Sequence, residues 1–231
     1  MKSLQILVCS LLAAPALAFG GVVQVASSDF NSGTEGWTTT GLTLASGYEP
    51  ADGAPGGYFF GRSKGVGSAD FISEPFYFVA PTSYLANAAE AYGSFLSYDI
   101  KRFVGYENVL LGGYPELILS GAGLRLAYTD MNINNIWTNH VVPLYETGTS
   151  QEHGLTASWV IEGSALQPTK QQMVDVLDSL DGLFIRGSYS AYGNEKIGID
   201  NVTLFAVPEP GTPLLAALGL LVLAARRRHQ R

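Results

Sequence analysis

Apolar and polar residues alternate in several stretches of the chain. In Leu96-Ser97-Tyr98-Asp99-Ile100-Lys101, the residues Leu96, Tyr98 and Ile100 share one face, and Ser97, Asp99 and Lys101 share the other. Leu124, Leu126 and Tyr128 repeat the pattern opposite Gly123, Arg125 and Ala127, and Leu183, Ile185 and Tyr189 do so around Arg186 and Ser188. Successive side chains of a strand point to opposite faces, so these segments read as half-buried antiparallel strands. Val23 with Val25, Leu117 with Leu119, and residues 76–79 add further candidates. Glycine and proline are scattered throughout, as turns between many short strands require.

Residues 169–180 break the two-residue period. Met173, Val176, Leu177 and Leu180 fall at i, i+3, i+4 and i+7, which is the stripe of an amphipathic helix facing a core. Thr169 and Gln172 have the spacing of a capping box, and Gly182 is expected to supply the left-handed stop. A second irregularity lies in residues 197–204. Apolar positions are odd-numbered up to Ile199 and even-numbered from Val202. A strand cannot change parity without turning its core face outward, so a β-bulge is expected at Asp200-Asn201, taking the Asp200 carboxylate out of regular register.

The two ends have a different character. Lys2, an apolar stretch over 4–12 and the small-residue pattern Ala16-Leu17-Ala18 form a signal peptide over 1–18, with cleavage by signal peptidase before Phe19. At the other end Pro208-Glu209-Pro210 precedes an uncharged apolar run and the cluster Arg226, Arg227, Arg228. As a helix the run would reach only about 20 Å against roughly 30 Å of hydrocarbon core. The terminal arginines nevertheless match the positive-inside rule. Motif, apolar segment over 214–225 and basic end, in that order, resemble a PEP-CTERM sorting tail over 208–231. That resemblance implies a Gram-negative-type bacterium and processing by an exosortase, with a C-terminal hydrophobic helix as a transient or permanent membrane segment.

Composition sharpens the picture. The chain carries a net charge of −7, and residues 19–207 alone hold 8 Lys+Arg against 19 Asp+Glu, a net of −11. Such an acidic domain is not expected to bind nucleic acid through a basic face. Its one cysteine, Cys9, lies in the leader, so no internal disulfide and no cysteine metal cluster can form. Residues 19–207 are long enough to bury roughly 70% of their unfolded surface as one domain.

Colinear segments from Ser28 to Leu204 resemble a bacterial laminin IV type A (laminin B) domain. They include residues 28–37, 55–58, 77–81, 91–101, 117–126, 142–144, 183–187 and 199–202. The resemblance implies an all-β jelly-roll sandwich of the galactose-binding-like kind, carrying the one amphipathic helix. Jelly rolls of that type often hold a structural calcium ion where the first and last strands meet. Here those positions are Asn31 and Asp200, with backbone carbonyls near Gly33. Asn31 stands where the pattern commonly has an acid, which predicts weak affinity.

Catalytic motifs are missing from the sequence: it has no His-Glu-x-x-His, no Gly-x-Ser-x-Gly and no complete dinucleotide or phosphate loop. His140 and His153 are expected at the surface or in loops rather than as metal ligands. Tyr48, Tyr58, Tyr106, Tyr114, Trp137 and Tyr192 fall outside clear core parity and are candidate sugar platforms, whereas Trp37 is expected in the core. The expectation is therefore an exported, non-enzymatic binding module of the cell surface or extracellular matrix, with extracellular carbohydrate or a surface protein as partner. A carbohydrate-active enzyme using acidic residues on a sheet face and a purely structural matrix protein are the alternatives.

Overall fold

The computed structural model describes residues 21–64, 71–105, 111–129, 133–149 and 154–207. The leader positions Ala16, Ala18 and Phe19, the tail positions Pro208, Glu209, Pro210, Arg226, Arg227 and Arg228, and Tyr106 and His153 lie outside the described residues. Among the described residues no helix is long and apolar enough to cross a membrane.

Two antiparallel sheets face each other. One joins β3 (Thr43–Glu49), β4 (Tyr58–Ser63), β13 (Lys196–Ala206), β6 (Phe95–Val104) and β9 (Thr138–Pro143) in that order, and β1 (Val23–Ser28) pairs with the far half of β13. The other runs β10 (Thr147–Thr149), β11 (Thr156–Ile161), β8 (Leu124–Tyr128), β7 (Leu117–Gly121), β12 (Leu180–Arg186), β5 (Tyr77–Val79), β2 (Thr38–Thr40). Every strand pair is antiparallel. First and last strands thus meet in one sheet, and the whole is a jelly-roll β-sandwich.

Pleat and burial agree. Leu96, Tyr98, Ile100, Ile197, Ile199 and Phe59 point inward from one sheet; Leu117, Leu119, Leu126, Leu183, Ile185, Phe78 and Trp159 meet them from the other. Trp37 closes one end of this core: it stacks edge-on against Phe30 and Tyr84, and its indole N–H donates to the Ser28 hydroxyl at 2.9 Å. α1 (Thr82–Leu85) carries Tyr84, whose hydroxyl donates to the Val202 carbonyl at 2.7 Å and so fastens the cap to β13.

α2 (Lys170–Asp178) buries Met173, Val176 and Leu177, and both halves of the Thr169 and Gln172 capping box form. Its end differs from the expectation. The helix stops at Ser179, whose backbone N–H and hydroxyl both donate to the Asp175 carbonyl, and β12 begins at once with Leu180. Gly182 lies inside β12 at a register shift, without a positive φ. It is glycine for another reason: a Cβ there would come within 2.4 Å of the Phe184 ring.

The strand expected at Val23 and Val25 forms as β1, with Val23 44% exposed and a register shift between Gln24 and Ala26. A further expectation is corrected. Arg186 and Ser188, read as solvent-facing, are buried. β12 ends at Arg186, whose guanidinium donates to the carbonyls of Ser188, Tyr114 and Leu111 and lies 3.6 Å from the Glu116 carboxylate. A second buried ion pair joins Arg102 to Glu195, and the Glu195 carboxylate also accepts the backbone N–H groups of Tyr189 and Ser190. Carbonyl acceptors surround the Arg186 guanidinium and N–H donors the Glu195 carboxylate, which is the condition for burying such charges.

Candidate functional site

The outer face of the first sheet carries the aromatic residues that matter. Alternation along β4 turns Tyr58, Phe60 and Arg62 outward, along β6 Asp99, Lys101 and Phe103, and along β13 Lys196, Gly198 and Asp200. The ladder sets Phe60 opposite Gly198 and Gly198 opposite Lys101. Because Gly198 has no side chain, the Tyr58 and Phe103 rings close over it and stack with centroids 4.6 Å apart. Trp137, just before β9, packs edge-on against both, at 5.6 and 5.7 Å, and donates its indole N–H to the Asp52 carbonyl at 2.7 Å. Tyr58 is buried under these neighbours, while Phe60, Phe103 and Trp137 stay partly exposed.

Two ammonium groups sit on this aromatic surface. Lys101 Nζ lies 4.4 Å from the Phe103 ring centre and 5.9 Å from that of Trp137. Lys196 Nζ lies 4.5 Å from Phe60, 5.3 Å from Tyr58 and 5.4 Å from Phe103, and bonds the Glu49 carboxylate at 3.0 Å. Burial pulls the Lys196 ammonium down, but the Tyr58 hydroxyl and Glu49 outweigh it and leave the pKa above its ordinary value. Burial raises the Tyr58 hydroxyl, against the opposing pull of Lys196. Lys196 is therefore cationic at neutral pH, and the quadrupoles of the rings beneath both lysines attract an ammonium group.

At one end of this face lies the bulge. The β13 register against β6 shifts between Asp200 and Thr203, and Asn201 takes φ +48°. Asp200 is fully buried beneath the loop before β4: its Oδ2 accepts the Ala54 N–H at 2.6 Å and its Oδ1 the Asn201 N–H at 2.7 Å. Burial, with smaller contributions from Asp99 and Asp29, pushes this carboxyl up to about 6. The Asn201 amide donates to Asp99 and to the Ala54 carbonyl.

The oxygens around Asp200 allow a fit test for calcium. A Cβ on Gly53 would meet the Gly57 carbonyl oxygen at 2.2 Å, Asp200 Oδ2 at 2.8 Å and the Gly56 carbonyl oxygen at 2.8 Å, so three oxygens crowd around Gly53 itself. Asn31 Oδ1 borders the same loop, 2.3 Å from where a Gly56 Cβ would stand. The donors are all oxygen, which suits a hard cation. Among the described residues no group of three acidic, histidine or cysteine side chains forms a metal cluster, so the donor set carries little charge.

Residues 77–217 match the family Laminin B (Domain IV). The chain belongs to that family. Laminin subunit gamma-2 of Equus caballus is 31% identical over 156 residues, covering 66% of this chain and 12% of that one. Laminin subunit gamma-1 of Xenopus tropicalis is 28% identical over 175 residues, covering 71% and 9%. This laminin B chain thus spans a small fraction of the length of the relatives it matches. Among solved structures, CtCBM11 superposes with a TM-score of 0.51 at 16% identity, over 84% of this chain and 99% of that one, a likeness of fold.

Of the platform candidates, the laminin B fold brings together Tyr58 and Trp137. Tyr48 packs against the core with its hydroxyl on the Asn31 carbonyl; Tyr114 lies over Arg186, and Tyr192 packs on Phe71 away from the cluster. Phe60, Phe103, Lys101 and Lys196 escaped the sequence reading as members of one site. Their signal was present: Phe103 continues the outward series Ser97, Asp99, Lys101, and Phe60 alternates with Phe59 and Gly61. His140 is no loop residue. It sits in β9, half-buried and stacked on Tyr98 at 5.7 Å, where burial lowers its pKa.

Proposed function

We propose that this laminin B domain is an exported, non-enzymatic binding module whose ligand is extracellular carbohydrate, held on the outer face of the sheet that contains β4, β13 and β6. The observation that carries the proposal is the partly exposed aromatic surface of Phe60, Phe103 and Trp137, built over a glycine and braced by the buried Tyr58. Pyranose C–H faces pack on such rings, and rings fixed by mutual stacking lose little entropy on binding. The likeness of fold to CtCBM11, a carbohydrate-binding module, supports the same role. A glycan array probed with the protein tests it: saccharide binding is expected, and its loss in Trp137→Ala with the β-rich circular dichroism spectrum retained is expected with it. An array without binding would leave a protein partner or a purely structural role.

Calcium at the β13 bulge completes the proposal as a structural element. Asp200 and Asn31, with carbonyls of the adjoining loops, would hold the ion, which would supply positive charge to a buried carboxylate and fix the loop that carries Asp52 against Trp137. Export through the 1–18 leader and exosortase processing of the 208–231 tail are the proposed route to the cell surface.

A further inference from the structure

Basic residues are scarce in this acidic domain, and half of the eight described ones are in ion pairs. Among the described residues Arg102 pairs with Glu195, Arg125 with Glu162 and Arg186 with Glu116. Of the other five, Lys64 and Lys170 are exposed, and Arg62, Lys101 and Lys196 project from the aromatic face. Lys196 has Glu49 as a partner. Lys101 forms no ion pair among the described residues, and the Arg62 Nε is buried without a hydrogen-bond partner. Lys101 and Lys196 moreover share the Phe103 ring, at 4.4 and 5.4 Å, so two like charges are held on one support. An ammonium group without a carboxylate partner, set beside sugar-stacking rings, is complementary to a ligand carrying both a pyranose ring and a negative charge.

We infer that the face is specific for acidic polysaccharide, with uronic acid residues stacking on Phe60, Phe103 and Trp137 and their carboxylates meeting Lys101, Lys196 and Arg62. The inference rests on the glycan-binding role proposed above and adds the charge of the ligand. Repulsion from the rest of the acidic domain is screened beyond about 8 Å at physiological ionic strength, so the local cations set the contact energy. A carboxylate on each sugar suits single ammonium groups spaced over rings, and the methyl ester of the same sugar keeps the stacking while removing the charge.

The test uses the full-length chain in mild detergent with polygalacturonate and alginate, each as the free acid and as its methyl ester. Binding is read by affinity electrophoresis and by tryptophan fluorescence. Trp37 and Trp159 are buried in the core, so a ligand-dependent signal reports Trp137 and should vanish in Trp137→Phe. Free acid is expected to bind at least about tenfold more tightly than ester, since hydrogen bonds to charged groups are the stronger ones. Lys101→Gln should reduce binding of the acid to the level of the ester, with an unchanged melting temperature. Equal binding of acid and ester, untouched by Lys101→Gln, would overturn the inference and leave the glycan-binding role standing. Binding of neither form would overturn the inference; positive binding of neutral glycans on the array would show that the broader role survives. Acid binding that persists in Lys101→Gln and Trp137→Ala would place the site elsewhere and overturn it as well.

Discussion

The rings of Tyr58 and Phe103 lie nearly parallel, 9° between planes, across the bare backbone of Gly198. A Cβ at Gly198 would stand 2.5 Å from Tyr58 Cδ2 and 2.9 Å from Phe103 Cε2, so the stack exists only while that position is glycine. Gly198→Ala should therefore cost about 1–3 kcal/mol as overpacking. Urea denaturation measures the loss, and near-UV circular dichroism should show the altered ring environment. An unchanged spectrum would mean the rings do not depend on Gly198.

The α2 stripe is core. Leu177→Ala should destabilise by about 2–5 kcal/mol. Lys170 is exposed, and Lys170→Ala should stay within about 0.5 kcal/mol. Similar midpoints for the two variants would place the stripe outside the core.

Asp200 makes stability depend on pH. Its carboxyl rises from 3.8 to about 6 on folding, chiefly through burial, so the native state binds the proton more tightly than the unfolded chain. The stabilisation is fully present below about pH 3.8 and is lost as pH rises through about 6. In chelator the melting temperature of Asp200→Asn should show a shallower fall than wild type across that window. Calcium should raise the wild-type melting temperature at pH 7 and leave Asp200→Asn unmoved. Identical wild-type melts with chelator and with calcium would remove the proposed ion.

Glu195 neutralises Arg102 inside the protein and accepts two backbone N–H groups. Glu195→Ala leaves a buried guanidinium without its counter-charge and should cost about 3–5 kcal/mol. Thermal denaturation at neutral pH reads it, and a shift no larger than that of an exposed acid would show that water reaches Arg102.

Processing is tested by intact mass. Protein recovered from its native host should begin near Phe19 and end near Pro208. Mature material that retains 214–231 would show a permanent anchor.

Local chemistry wrote much of this protein into its sequence. Alternation in 95–104, 117–121 and 124–128 specified strands and their buried faces, because a pleat has period two. The spacing of Met173, Val176 and Leu177 and the pair Thr169 and Gln172 specified the helix and its start, since both are made within one turn. The parity change between Ile199 and Val202 specified the bulge at Asp200. Gly182 misled because a glycine after a helix resembles a stop, whereas the ring of Phe184, two residues on, is what excludes a side chain there.

The aromatic face was decided only by strand order. Tyr58, Lys101, Trp137 and Lys196 lie on β4, β6, the approach to β9, and β13, and they meet because β13 is inserted between β4 and β6. No local pattern carries that adjacency, since pairing across the sheet depends on which distant strands bury each other. The same pairing explains why a domain whose composition is strongly acidic sets two lysines over one aromatic surface. Net charge is a sum over the chain, while a ligand meets only the charges that the fold gathers within a screening length.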